Sequence, residues 1–193
     1  MKIGIFGGSF NPPHNMHQNI ALNLIKFKFL DKVIFVPTGD RYGKKELVDV
    51  KHRFNMLKIL CDKYSNLELS DFEIKQKLVY TYQTLDYFKN LNIDAEIYFI
   101  VGADNLAELK KWRNYDYLIS KYKFLVIKRE GEIIEELLKE HNYNSNIIVT
   151  DIAMNSISST KIRKMLKEND EVVKNYIDED VLKHIKQNKL YIS

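Results

Sequence analysis

The chain has 193 residues, 45% of them apolar and 29% charged, with a formal net charge of +4. That is one domain's length with enough apolar material for a sizeable core, and its mild charge, with Lys and Arg spread beside Glu and Asp, speaks against a general nucleic-acid binder. No apolar run reaches the roughly 18 residues of a membrane-spanning helix, no signal-peptide pattern opens the chain, and the single cysteine, Cys61, has no partner for an internal disulfide, so a cytoplasmic location is expected.

KIGIF (2–6) reads as a short apolar strand, followed at once by GGSFNPPH and by an amphipathic helical pattern over 16–29. A strand running into a glycine-rich loop and a helix is a phosphate-binding arrangement: Gly7 and Gly8 lack a Cβ, so backbone N–H groups can approach an anion. The helix behind them offers unpaired N–H groups and the positive end of its dipole. His14 and His17 stand three residues apart at its mouth. These residues predict a nucleotide phosphate held at the end of the first strand. The loop has neither the G-K-[ST] of a Walker A segment nor the G-x-G-x-x-G of a dinucleotide fold. Metal ligation by the two histidines is the alternative; no further ligand accompanies them, and no protein-held metal is expected.

Further strands are expected at 32–37, 95–102, 123–128 and 146–150, with a shorter one in LELSDFEI (67–74); helices are expected at 51–64, 81–91, 105–112 and 132–141. The alternation of strand and helix, with strands that read as continuous apolar runs, predicts a parallel sheet covered on both faces. This is a doubly wound, Rossmann-like α/β fold, whose ligands bind beyond the carboxyl ends of the strands. Cys61 falls on a helix, where a buried structural thiol is expected. The aromatic residues sit inside strand and helix patterns and are expected in the core. No strand pattern follows residue 150. The expectation is an α/β unit over 1–155 and a small helical subdomain over 156–193, packed on the sheet's carboxyl edge as one compact whole.

SISSTKIR (156–163) reads on its own as an N-capped helix. Together with the histidine loop, it resembles the second signature, I-S-S-T-x-[IV]-R, of the nucleotidylyltransferase superfamily, whose first signature is a glycine pair followed by H-x-G-H. Here His14-Asn15-Met16-His17 carries Met16 where the family has glycine. IVGADNLAELKKW (100–112), FLVIKREG (124–131) and YTYQTLDYF (80–88) resemble the nicotinate-mononucleotide adenylyltransferases. The resemblance covers nearly the whole chain and implies transfer of AMP from ATP, with Mg²⁺, to nicotinate mononucleotide, giving deamido-NAD and pyrophosphate.

The resemblance assigns catalysis to His14, His17, Lys44 and Arg163. ATP would lie on Gly7, Gly8, Ser9, Phe10, His14, His17, Gly102, Asp104, Ile157, Ser158, Ser159, Thr160 and Arg163. The mononucleotide would lie on Asn11, Lys44, Lys45, Tyr80, Thr81, Asp104, Trp112 and Arg129. Core packing is the alternative for Trp112, and a helix cap for Asp104. The 38–50 loop departs from the family's P-x-x-x-P-P-H-K segment; Lys44 or Lys45 stands in for its lysine, and Arg53 reads as structural. The rivals are a phosphopantetheine adenylyltransferase, a cytidylyltransferase, an enzyme for nicotinamide mononucleotide, and a non-catalytic nucleotide-binding protein. Small-molecule substrates are implied, with no nucleic acid and no membrane; a homo-oligomer is left open.

Overall fold

The computed structural model describes residues 1–40, 47–76, 78–129, 134–154 and 157–192, the side chains of 129, 153 and 154 excepted. Six strands form one sheet: β1 (Lys2–Gly8), β2 (Lys32–Pro37), β3 (Leu67–Leu69), β4 (Glu96–Gly102), β5 (Lys123–Arg129) and β6 (Ile147–Met154). Every pair is parallel and the order is β3-β2-β1-β4-β5-β6. Between them run α1 (Asn15–Lys26), α2 (Val50–Cys61), α3 (Phe72–Lys75), α4 (Thr81–Leu91), α5 (Ala103–Glu108), α6 (Tyr115–Lys121) and α7 (Glu135–Glu140); α8 (Ser159–Lys167) and α9 (Glu179–Gln187) follow the sheet.

The two-residue period of the strands divides the core. Ile3, Ile5, Ile34, Val36, Ile97, Phe99, Val101, Phe124 and Val126 pack with Leu85 and Phe88 of α4, Leu106 of α5 and Leu118 of α6. The alternate residues Val33, Phe35, Tyr98, Ile100, Leu125 and Ile127 pack with Ile20, Ala21 and Leu24 of α1 and Leu57 and Cys61 of α2. Both faces are therefore dry, as continuous apolar strands require. Gly4 leaves no room for a side chain: a Cβ there would clash with Leu30 Cδ1.

The expected strands and helices are found, with four corrections. LELSDFEI is a strand only to Leu69, and Phe72–Lys75 is a helical turn, because Ser70 Oγ accepts the Phe72 N–H at 3.2 Å and Asp71 O accepts the Lys75 N–H at 3.1 Å. The helix expected over 105–112 starts at Ala103 and tightens to a 3-10 turn at Leu109–Lys111. A further helix, α6, follows Asn114, whose φ of 58° turns the chain. Finally, β6 continues past residue 150 to Met154 through a register shift against Val126–Lys128, which leaves Ile152 buried.

The tail from α8 onward packs on α2. Met56 and Leu60 of α2 share a cluster with Ile162, Leu166, Val173, Ile177, Val181 and Ile185. His52 Nδ1 lies 3.2 Å from His184 Nε2, and Lys63 pairs with Asp178 and Asp180 at the opposite end of α9. The first turn of α8, which carries the second motif, reaches the carboxyl end of the sheet, where Tyr176 O also accepts the Asn15 N–H at 2.8 Å.

Candidate active site

Sheet order reverses between β1 and β4, so the crevice of a doubly wound fold opens at their carboxyl ends. Two adjoining cavities lie there, about 460 and about 570 Å³, sharing Gly7, Gly8, Ser9, Ile100, Val101 and Asn105. A Cβ on Gly7 would press on the Phe99 ring at 3.3 Å, and one on Gly8 on the Phe10 ring at 3.2 Å, which is why bare glycines line both.

The first cavity gathers distant stretches of chain. Gly7, Gly8, Ser9, Phe10, His14 and His17 line it from the β1–α1 junction, Gly102 and Asp104 from the end of β4, and Ile157, Ser158, Ser159, Thr160 and Arg163 from the start of α8. The two motifs are bonded directly. Ser159 Oγ donates to the Pro12 carbonyl at 2.9 Å, and Arg163 Nη1 donates to the Asn11 carbonyl at 3.0 Å. Ser158 caps α8, its Oγ accepting from the Lys161 N–H at 3.3 Å. The N–H groups of the first turn and the positive end of the dipole thus face the cavity.

The histidines are held by the backbone of their own helix. His14 occupies the N-cap of α1, and its N–H donates to His17 Nδ1 at 3.1 Å. Neutral His17 therefore carries its proton on Nε2, as a donor. The rings are 3.8 Å apart. Burial pushes His14 down to about 4; burial first, and then the His14 ring, hold His17 well below its usual value. Buried His14 Nδ1 has no partner among the described residues. Two neutral, desolvated imidazoles beside a helix N-terminus are groups that an anion would satisfy. Asp104 is not the cap of α5, a position held by Gly102; its Oδ1 accepts the Asn105 N–H at 3.0 Å.

Asn11, expected beside the mononucleotide, lines the first cavity, and its oxygens serve the scaffold. Oδ1 accepts from the Val48 N–H at 3.2 Å and from the Tyr191 hydroxyl at 2.8 Å. Next to it, Arg53 is fully buried, as a structural reading requires. It donates to Val48 O, Ser9 O and Asp40 Oδ1 at 2.9, 2.8 and 2.7 Å.

The second cavity takes Tyr80 and Thr81 from the start of α4, Trp112 from beyond the 3-10 turn, and Thr38, Glu73, Lys111 and Arg113. Trp112 is half-buried and edge-on to Phe99 at 5.9 Å, so it belongs to both core and cavity. Lys44 and Lys45 lie outside the described residues, as does the side chain of Arg129. Glu73 and Thr38 were missed by sequence reasoning. Glu73 stood in a segment read as strand, and Thr38 opened the 38–50 loop, from which only Lys44 and Lys45 were assigned a role. Thr38 Oγ1 is buried without a partner among the described residues. Glu73 is 8% exposed and accepts the Thr84 hydroxyl at 2.6 Å; burial pushes its carboxyl up to about 7.

These two shifts act oppositely on stability. For His14 the unfolded chain binds the extra proton, so stability is full above pH 6.5 and is lost toward pH 4. For Glu73 the folded chain keeps the extra proton, so stability is full below pH 4.5 and is lost as pH rises through 7. Each amounts to about 3 kcal/mol, and between pH 4.5 and 6.5 they offset each other. The stability difference between E73Q and the parent is accordingly expected to grow with pH, to about 2–3 kcal/mol in favour of E73Q at pH 8. Urea midpoints at pH 5, 6.5 and 8 measure it, and a difference constant with pH would refute the assignment.

Among the described residues no group of three or more His, Cys, Asp or Glu is placed to hold a metal ion, and no helix is long and apolar enough to cross a membrane. A cytidylyltransferase-like family profile matches residues 5–165. A probable nicotinate-nucleotide adenylyltransferase of Clostridium acetobutylicum is 39% identical over 99% of both chains. One of Endomicrobium trichonymphae is 38% identical over 98% of both. The nicotinic acid mononucleotide adenylyltransferase of Plasmodium falciparum complexed with NaAD superposes with a TM-score of 0.81 and 25% identity, over 98% of this chain and 97% of that one. Its complex with APC gives 0.79 and 26%, over 98% and 96%.

Proposed function

This chain belongs to the cytidylyltransferase-like family and, within it, to the nicotinate-nucleotide adenylyltransferases, and from that membership we propose how its two cavities divide the work. The reaction transfers AMP from ATP to nicotinate mononucleotide, giving deamido-NAD and pyrophosphate, a step of NAD biosynthesis. The first cavity takes the ATP and the second the mononucleotide. The observation that supports this division is the meeting of His14 and His17 with Ser158–Arg163 around one hollow that opens into another walled by Trp112 and the start of α4.

The mononucleotide phosphate has a second pKa near 6 and is almost fully ionised at neutral pH. It attacks the α-phosphorus of ATP without a general base; a P–O bond forms to the acceptor and the α–β bridging bond breaks toward pyrophosphate. Catalysis is then in-line positioning and stabilisation of developing charge. Neutral His17 donates from Nε2 to a phosphate oxygen, and His14 stands beside it. The first-turn amides of α8, that of Ser159 among them, the Thr160 hydroxyl and Arg163 take the β- and γ-phosphates. Lys44 or Lys45 neutralises the leaving pyrophosphate. No described cluster of side chains would hold Mg²⁺; bound to the triphosphate of ATP, the ion would supply charge neutralisation there. The donors of the first cavity (imidazoles, hydroxyls and amides) suit phosphate oxygens.

Trp112 packs on the pyridine ring, and the N-terminus of α4 at Tyr80 and Thr81 receives the ring carboxylate, which a helix N-terminus favours over an amide. With Mg-ATP, pyrophosphate release is expected to be at least tenfold faster with nicotinate mononucleotide than with nicotinamide mononucleotide, and absent with phosphopantetheine. Release with phosphopantetheine alone would reassign the acceptor; release with none would leave a nucleotide-binding protein.

A further inference from the structure

Glu73 poses a physical problem for the acceptor cavity. It is 8% exposed, lines the cavity with Thr38, Tyr80, Thr81 and Trp112, and comes from α3, a helical turn. Its Oε1 is taken by the Thr84 hydroxyl. No ion pair with a described Lys or Arg relieves its charge. The charged groups around it are otherwise engaged: Asp71 pairs with Lys75 on its own element, Asp40 of the β2 loop with Arg53, and Lys111 with Glu108. Asp86 of α4 is held by Lys121. Arg113 lines the same cavity without an ion pair to Glu73. An ionised carboxyl on this wall would oppose a second carboxylate brought in by the substrate.

We propose that Glu73 sets the charge preference of the acceptor cavity. Protonated, its carboxyl donates a hydrogen bond to an anionic substituent on the acceptor's ring; ionised, it repels that substituent and accepts from an amide. The Thr84 hydroxyl holds the group in place and, by donating to Oε1, favours the ionised form. The Thr38 hydroxyl, buried without a partner among the described residues, lines the same cavity and marks it as one that a polar ligand completes. Burial places the switch near neutrality, its carboxyl being pushed up to about 7. The inference rests on the second cavity's being the mononucleotide site.

The test is the ratio of kcat/KM for nicotinate mononucleotide to kcat/KM for nicotinamide mononucleotide, measured from pH 6 to 8.5 at saturating Mg-ATP. Titration of the acceptor phosphate is common to both substrates and cancels in the ratio. For the unmodified enzyme the ratio is expected to fall at least tenfold across this range. E73Q, a permanent donor of the same shape, is expected to hold its ratio constant. T84V, which removes the hydroxyl that favours ionisation, is expected to move the fall to higher pH. An E73Q ratio that follows the unmodified enzyme, or a T84V profile that superposes on it, overturns the proposal. An unmodified enzyme that uses neither mononucleotide would instead overturn the reading of the cavity itself.

Discussion

Replacing His17 by Ala is expected to cost roughly 1–3 kcal/mol of stability, since the His14 N–H loses its acceptor, and to lower kcat on the order of 10²-fold or more. The magnitude is that of losing one preorganised donor to charge that develops in a transition state. The donor is preorganised because the His14 N–H occupies Nδ1 at 3.1 Å, which leaves the Nε2 proton for the ligand. The rings are also largely buried, so a neutral N–H aimed at a phosphate oxygen is worth more there than in bulk water. His14→Ala is expected to cost a similar factor. The free enzyme keeps His14 neutral down to about pH 4, so kcat/KM should show no histidine limb between pH 6 and 8. Near-normal turnover in H17A, with folding intact, would remove the histidine from the reaction. Asn at this position would keep a donor on a shorter side chain, and partial recovery in H17N would separate donation from packing.

Arg53→Met is expected to destabilise the protein by roughly 3–5 kcal/mol. The side chain is wholly buried and satisfies two carbonyls, Val48 O and Ser9 O, besides Asp40. Met fills the volume but strands those acceptors away from water. Because Ser9 lines both cavities and Val48 donates to Asn11, the loss should also raise KM for ATP. Arg53→Lys should be nearly as harmful, since one ammonium cannot span three acceptors that a planar guanidinium reaches. Urea unfolding measures both; an R53M variant within about 1 kcal/mol of the parent would show that the buried network carries little.

Local signals made much of the site readable in advance. The apolar run of β1, the glycine pair and the amphipathic α1 meet within about twenty residues, so strand, anion loop and helix N-terminus follow from short-range chemistry alone. The hydroxyl run before α8 announced its cap in the same way. α3 and α6 were not legible: each is a turn or two long and is held by a side-chain oxygen or by one left-handed residue rather than by a periodic apolar face. Glu73 was missed, and the bonds that hold Asn11 were not legible, because both depend on partners elsewhere in the chain. Thr84 lies on a different helix, and Tyr191 is 180 residues away from Asn11.

The chain's own residue pattern determined that strands would alternate with helices, that both sheet faces would be dry, and that two stretches would each offer amides to an anion. Only the tertiary structure decided that the two stretches share a hollow, that the C-terminal helices rest on α2, and that a carboxyl without a counter-ion among its described neighbours lines the adjoining cavity. The physical reason is range. Backbone geometry and apolar periodicity act over a few residues, whereas burial, desolvation and the pairing of polar groups depend on which distant segments the sheet order brings together.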